Sequence, residues 1–240
     1  MRKTNRPLIL AAALPAAFTA FKDVPCRFRA KSAKGRGEID IFGVIGADWF
    51  GEGITGKMVD KAIKAMGDVS AIDVRIKSPG GDVFEGRAIY NLLAEHKATI
   101  NVNVIAEAAS AASLIAMAGD EITMAEGSLM MIHRASGLAW GNVGDVEKFL
   151  NLLKTVDDTL VKTYAKRTGN SEADVLAWLD AETWMDAADA VKMKFADKAT
   201  AAPEKMAALS INRSLLGFKH IPESLRPNRA RALKLIAGGK

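Results

Sequence analysis

Residues 71–96 read AIDVRIKSPGGDVFEGRAIYNLLAEH and contain a complete strand–turn–helix unit. The opening AIDVRI alternates polar and apolar side chains, which predicts a strand. The run Ser78-Pro79-Gly80-Gly81 is typical of a sharp turn, because proline restricts φ and glycine adopts backbone angles that other residues avoid. A helix is then predicted from about residue 83 to residue 96. The unit predicts a strand that passes through a glycine turn directly into a crossover helix.

Similar units lie on both sides of this stretch. Strands are predicted over 38–45, 99–106, 121–124 and 129–133, and helices over 55–66 and 111–118. Apolar residues at helical spacing then predict a long amphipathic helix over 143–166, which Gly169 ends. Asn170 or Ser171 can cap a helix that runs to about Leu179, and Asp186 can cap a short one over 187–194. This alternation predicts an α/β fold with crossover connections.

Charge divides the chain into three parts. The 240 residues carry a net charge of +5, with +8 in residues 1–37, −9 in residues 38–202 and +6 in residues 203–240. We predict an irregular basic leader, an acidic globular domain and a partly flexible basic tail over these three ranges. An acidic domain is a poor match for nucleic acid, so any such contact is expected only through the basic ends.

The N-terminus superficially resembles a signal peptide, since basic residues precede the apolar run Leu8–Ala20. Pro7 and Pro15 interrupt that run and no cleavage site of the usual kind follows it. No stretch reaches the ~20 apolar residues that span a bilayer. The single cysteine, Cys26, excludes an intrachain disulfide and fits a reducing compartment. We therefore predict a cytoplasmic chain without membrane contact.

Ser110 is a candidate nucleophile. It lies in Ala108-Ala109-Ser110-Ala111-Ala112-Ser113, which follows a predicted strand and begins a helix. Small neighbours allow a tight turn and the approach of another chain. The alternative is that Ser110 simply caps the helix. The SPGG turn likewise either leaves backbone N–H groups available to an oxyanion or is a plain turn.

His133 is the candidate base among the three histidines of the chain. It ends the apolar strand 129–133, and sites in α/β folds gather at strand ends. His96 is predicted to lie on a solvated helix face, and His220 lies in the basic tail. Neither H-E-x-x-H nor paired-cysteine spacing is present, so we predict no metal and no cofactor.

Three strings together resemble the Clp-type serine proteases: SPGGDVFEG at 78–86, AEAASAAS at 106–113 and MMIH at 130–133. The resemblance extends over about 38–200. Gly81 precedes Ser110 by 29 residues, as in that family, and His133 follows Ser110 by 23, slightly fewer than is usual there. The resemblance implies the ClpP/crotonase-like fold of repeated β-β-α units, in which the long helix is the handle that joins two rings.

The resemblance also implies a mechanism. Ser110 attacks the peptide carbonyl, His133 transfers the proton, and the N–H groups of Gly81 and Ala111 hold the oxyanion. An acid should orient His133. Glu182, two residues before Trp184, aligns with that acid, although the family more often has Asp there, and Asp180 is the alternative.

The ends of the chain, with GEIDIFGVIG and DAETWMDAADAV, look most like the head maturation proteases of bacteriophages and prophages. Such an enzyme would form a homo-oligomeric ring or stacked rings and cleave scaffold or capsid proteins without ATP. A degradative subunit partnered with an unfoldase ATPase is one alternative. A crotonase-like acyl-CoA enzyme and a non-catalytic scaffold or shell protein are others, and the Ser110–His133 pair argues against both.

Overall fold

A computed structural model describes residues 25–46 and 53–200. The apolar N-terminal run and the basic tail of the sequence analysis lie outside these residues. Within the described residues, eight strands and six helices follow one another in this order: β1 Arg27–Ala33, β2 Arg36–Phe42, α1 Gly56–Met66, β3 Ala71–Ser78, α2 Val83–Ala94, β4 Thr99–Ala109, α3 Ala111–Ala116, β5 Glu121–Ala125, β6 Leu129–Ile132, α4 Val143–Thr168, α5 Glu172–Asp180, β7 Thr183–Asp186, α6 Ala187–Lys192 and β8 Lys198–Thr200. The predicted α/β class is confirmed.

The strands form one mixed sheet in the order β1-β2-β3-β4-β5-β8, with β6 paired to β4 and β7. Strands β2, β3, β4 and β5 run parallel, as the helical crossovers require. Strand β4 divides its pairing: Asn101–Val104 pair with β5, and Glu107–Ala109 pair with β6. This division brings the ends of β4 and β6 side by side.

One segment differs from its prediction. Residues 27–33 were expected to belong to an irregular leader, but they form β1, an antiparallel edge strand on β2. Its side chains are mostly exposed, and its composition is basic, so periodicity alone gave no strand signal. Register with β2 decides its conformation, because the backbone hydrogen bonds come from the neighbouring strand rather than from the sequence of β1.

The core lies on one face of the sheet. Neighbouring strands place apolar side chains in register across it, as in the fully buried rows Ile39–Val74–Val102 and Ile41–Ile76–Val104. The opposite face carries polar rows, in which Asp40 accepts from Arg75 at 3.2 Å and Asp73 accepts from Arg36 at 2.7 Å. Burial on one face and polarity on the other produce the period-2 pattern from which the strands were predicted.

The two halves of the long helix α4 have different surroundings. Its C-terminal half packs on the core through Val156, Leu160, Val161 and Tyr164, whereas Val143 at its start is 75% exposed. A capping box of Asn142 and Asp145 begins the helix, and Gly169 in the left-handed conformation ends it. The following helix α5 is capped by Ser171, not Asn170, and α6 by Asp186.

Candidate active site

The site lies where β3, β4 and β6 end. These three strands are mutually parallel, so their carboxyl ends meet at the same edge. The SPGG turn follows β3, Ser110 follows β4 and His133 follows β6. Three segments separated in sequence are thereby brought together, as is common for sites of α/β folds.

Ser110 and His133 form a hydrogen-bonded pair. The Ser110 Oγ and His133 Nε2 atoms are 2.7 Å apart. Ser110 stands at the N-cap position of α3, but its side chain makes no capping hydrogen bond. The hydroxyl is therefore directed to the imidazole and not to the helix, which is the arrangement of an activated nucleophile.

The backbone of Ser110 is strained. Its φ is 53° and its ψ is −125°, outside the wells that non-glycine residues prefer. The Ser110 N–H donates to the Met131 carbonyl at 2.9 Å, which ties the turn to β6. Strain of this kind costs roughly 1–3 kcal/mol and persists only where surrounding contacts hold it. Here it lifts the hydroxyl out of the strand and towards His133.

The SPGG turn packs directly against the turn at Ser110. A Cβ on Gly80 would stand 2.6 Å from the Ala109 carbonyl oxygen and 2.7 Å from the Ser110 Cβ, so only glycine fits. The positive φ of Gly80, 94°, gives a second reason for glycine. The close approach of these two turns defines the position of Ser110.

Replacing Gly80 by alanine is expected to lower the rate at which Ser110 reacts with a serine-directed probe by about 100-fold, because the new Cβ must displace Ser110 and small displacements of reacting groups cost about that much. Gly67→Ala is the matched control: Gly67 also has positive φ, 65°, but a Cβ there meets no atom within 4 Å. Both variants should lose stability from backbone strain, and only Gly80→Ala should lose reactivity at Ser110. Equal rates of modification would contradict this account of the turn.

The backbone of Gly81 is bridged to Ile45. The carbonyl of Gly80 accepts from the Ile45 N–H at 2.8 Å, and the Asp82 N–H donates to the Ile45 carbonyl at 2.9 Å. In this parallel bridge the N–H of the residue between them, Gly81, points away from Ile45. A Cβ on Gly81 would lie 2.1 Å from the Ile45 oxygen, so glycine is required here too.

Ala111 is the first residue of α3. Backbone N–H groups in the first turn of a helix have no carbonyl partner within the helix. The Ala111 nitrogen would lie 2.9 Å from a Cβ on Gly80, so it belongs to the segment on which the SPGG turn packs. The amides of Gly81 and Ala111 thus come from adjoining segments, on either side of Ser110.

The two candidate acids have different surroundings. Asp180 accepts two hydrogen bonds from the guanidinium of Arg134, one from Nε and one from Nη2 at 3.0 Å. This contact holds the pKa of Asp180 below its ordinary value. Arg134 also donates to Asp157 at 3.1 Å, and the carboxylates of Asp180 and Asp157 together raise the pKa of Arg134 above its ordinary value. Asp180 is therefore already committed to an ion pair with Arg134.

Glu182 is the residue directly before β7, and His133 directly follows β6. Strands β6 and β7 are antiparallel, with Ile132 opposite Thr183, so their last register pair is next to both residues. Glu182 is half-buried and has a positive φ of 50°.

A cavity of about 240 Å³ opens beside the pair. Ser110 and His133 lie in its wall, together with residues of the SPGG turn and of the segment after His133. The wall opposite comes from α4 and is mainly apolar, formed by Phe149, Leu152, Leu153, Val156, Leu160 and Tyr164. The cavity can receive an apolar side chain next to the reactive hydroxyl.

No role in the site was predicted from the sequence for Arg134, Ser113 or Tyr164. Arg134 ties the segment after His133 to α4 and α5. Ser113 and Tyr164 share a hydrogen bond of 2.8 Å directly behind Ser110. Tyr164 was predicted only as part of an apolar helix stripe, and its hydroxyl was the one feature that such a stripe does not explain.

In the described ranges, 25–46 and 53–200, no group of three or more histidine, cysteine or acidic residues is placed to hold a metal ion. No helix in the same ranges is long and apolar enough to cross a membrane.

Comparison with known proteins gives a family and a set of relatives. A family model described as Clp protease matches residues 52–202, which include every candidate residue of the site. The ATP-dependent Clp protease proteolytic subunit of Deinococcus radiodurans is 33% identical over 129 residues. That alignment covers 53% of this chain and 63% of the relative, so the chain spans less than two thirds of the relative's length.

Proposed function

Because this chain belongs to the Clp protease family, we propose that it is a serine endopeptidase with Ser110 as nucleophile and His133 as general base. The observation that carries the proposal is the 2.7 Å contact between Ser110 Oγ and His133 Nε2 at a strained turn. A serine that served only as a helix cap would direct its hydroxyl to the helix amides, and this one does not.

The reaction follows from these positions. His133 takes the Ser110 proton as the hydroxyl attacks the peptide carbonyl, and a tetrahedral oxyanion forms. The amides of Gly81 and Ala111 donate to that oxyanion, an interaction for which each donor contributes roughly 3–4 kcal/mol in serine proteases. His133 then gives the proton to the leaving amine. Water, activated by the same imidazole, hydrolyses the ester and restores Ser110.

Glu182 is the proposed third member. Its carboxylate would orient the His133 ring and stabilise the imidazolium that forms in the transition state. Two features support Glu182 over Asp180. The β6–β7 pairing ends at Ile132 and Thr183, the chain neighbours of His133 and Glu182, and Asp180 is engaged by Arg134 in two hydrogen bonds.

The substrate is proposed to be a protein or peptide with an apolar side chain at the cleaved bond. The support is the apolar α4 wall of the cavity beside Ser110. A charged side chain placed there would lose its hydration without gaining a partner. A homo-oligomeric ring or pair of rings is also proposed. Its support is the exposed apolar surface at the start of α4, where Trp140 is 98% and Val143 75% exposed.

The biological role that we propose is prohead maturation in a bacteriophage or prophage, in the cytoplasm of the bacterial host. Its support is the resemblance of the strings GEIDIFGVIG and DAETWMDAADAV to that branch of the family. An ATPase-partnered degradative subunit is the second candidate. It is favoured by the similarity to the proteolytic subunit from Deinococcus radiodurans, which is named as ATP-dependent.

A fluorophosphonate probe tests the enzymatic proposal without a guess about substrate. We expect covalent labelling of the purified full chain at Ser110, located by peptide mass spectrometry, because the probe needs both an activated hydroxyl and oxyanion donors. Ser113, three residues away, is the internal control and should remain unlabelled. Absence of labelling in the assembled oligomer would overturn the proposal.

Cleavage of an unfolded protein substrate separates the two biological roles. A maturation protease is expected to cleave it without nucleotide or partner. Cleavage that requires an added unfoldase ATPase and ATP would instead support the degradative role. The Ser110→Ala variant, inactive in both cases, controls for contaminating proteases.

A further inference from the structure

We propose that Ser113 and Tyr164 are positioning residues, which hold the backbone of the nucleophile in its strained conformation through a chain of two hydroxyl groups. The inference rests on the proposed function and concerns the same site. It assigns to α4 a part in catalysis besides that of forming the cavity wall.

The starting point is the strain at Ser110. A serine with φ of 53° and ψ of −125° relaxes towards an ordinary conformation unless its peptide groups are held on both sides. Its N–H is held by the Met131 carbonyl of β6. Its carbonyl oxygen is held by Ser113, through the N–H at 2.9 Å and through the Oγ at 2.6 Å.

The direction of the hydroxyl chain follows from proton count. The Ser113 hydroxyl has one proton, and it donates that proton to the Ser110 carbonyl. Tyr164 Oη lies 2.8 Å from Ser113 Oγ, so at this contact Tyr164 must donate and Ser113 accept. The Tyr164 proton thereby orients the Ser113 hydroxyl, and the Ser113 hydroxyl anchors the carbonyl of the nucleophile.

The two hydroxyl groups are buried, and both keep their protons at ordinary pH. Ser113 is fully buried and Tyr164 is 2% exposed. Burial raises the pKa of Tyr164 to about 12, so its phenol remains a donor at every pH at which the protein would be assayed. A hydrogen bond in such surroundings is stronger than one in water, and its loss is not compensated by solvent.

Tyr164 itself is held firmly. Its ring packs on Phe195, with centroids 5.7 Å apart. The adjoining turn of α4 is bound to α2, where Arg87 donates to the Thr163 hydroxyl at 2.8 Å and to the Thr159 carbonyl at 3.3 Å. The phenol is thus fixed relative to the core before it meets Ser113, as a positioning group requires.

Tyr164 also lies in the wall of the cavity beside Ser110. The residue that is proposed to hold the nucleophile therefore contacts the space that is proposed to receive the substrate side chain. Because Tyr164 does not touch the reacting atoms, its hydroxyl should affect the rate of acylation and not the binding of substrate.

The test compares Tyr164→Phe and Ser113→Ala with wild type in the full chain. Each is expected to lower kcat, and the rate of Ser110 labelling by a fluorophosphonate, by about tenfold with KM unchanged, as for a lost buried hydrogen bond that acts on the transition state. Thr168→Val is the matched control. Thr168 is a buried α4 hydroxyl that donates to the backbone carbonyl of Tyr164 at 2.8 Å, so its loss disturbs the helix at Tyr164 without removing the Tyr164–Ser113 hydrogen bond. It should cost stability and leave kcat unchanged.

The double variant separates positioning from general destabilisation. If the hydroxyls act in series, Ser113→Ala with Tyr164→Phe should be no more than about twofold slower than Ser113→Ala alone. The proposal would be overturned if the losses in kcat of the two single variants multiplied in the double variant. It would also be overturned if Thr168→Val lowered kcat as much as Tyr164→Phe does. Unchanged kcat in both single variants, while wild type is labelled at Ser110, would overturn it as well. Absence of labelling in wild type would instead remove the proposed function, and this inference with it.

Discussion

Replacing His133 by alanine is expected to lower kcat/KM for peptide hydrolysis by about 10⁴-fold or more, with little change in stability. The Ser110 hydroxyl is a weak nucleophile at neutral pH, and in this structure His133 is the group within hydrogen-bond distance of its oxygen. Among the described residues, 25–46 and 53–200, no group other than this imidazole is hydrogen-bonded to the Ser110 hydroxyl, so its loss leaves no base at that position. Steady-state assays and the rate of fluorophosphonate labelling should fall together.

His96→Ala is the control for loss of a histidine. The His96 ring accepts a hydrogen bond from the Ala98 N–H at 3.0 Å, before the start of β4, whereas Ser110 lies after its end. The control should therefore cost some stability and no activity. A His133→Ala variant that retained more than about one tenth of wild-type activity would show that another group serves as base.

Replacing Glu182 by glutamine is expected to lower kcat by about 10³- to 10⁴-fold, with KM nearly unchanged. Glutamine has almost the same shape, but it lacks the charge that would stabilise the imidazolium and it can hold the wrong tautomer of His133. Because the backbone at Glu182 has positive φ in both proteins, the variant isolates the charge of the side chain from strain. The measurement is steady-state hydrolysis of a peptide, with unfolding curves as a check on folding.

Asp180→Asn is the matched comparison, two residues away on the same segment. It weakens the contact with Arg134, which lies at the surface, and surface ion pairs contribute little. We therefore expect kcat within about fivefold of wild type. The opposite outcome, in which Asp180→Asn is inactive and Glu182→Gln is not, would transfer the role of the acid to Asp180.

The apolar stripe of α4 illustrates how one sequence pattern can have two causes. Helical spacing of apolar residues predicted the helix correctly, because burial on the core and contact with a partner both select that period. Only the structure separates them, since Val156 to Tyr164 are buried while Trp140 and Val143 at the start are exposed. The exposed part is the surface that we propose for the oligomer.

The sequence by itself determined the α/β class, the positions of most strands and helices, and the segments that surround the site. These features are local, because alternation, helical period, capping residues and glycine turns each depend on a few neighbouring residues. They can therefore be recognised from the sequence. The same holds for Ser110 and His133 as candidates, because each follows a recognisable strand.

The tertiary structure alone decided which of these residues meet and how they are held. The division of β4 between β5 and β6 places Ser110 beside His133, and two hydrogen bonds from Arg134 engage Asp180. Strand β1 and the Tyr164–Ser113 contact likewise could not be predicted from the sequence. Each depends on a partner distant along the chain, across 51 residues for the two hydroxyls, and local propensity contains no information about such partners.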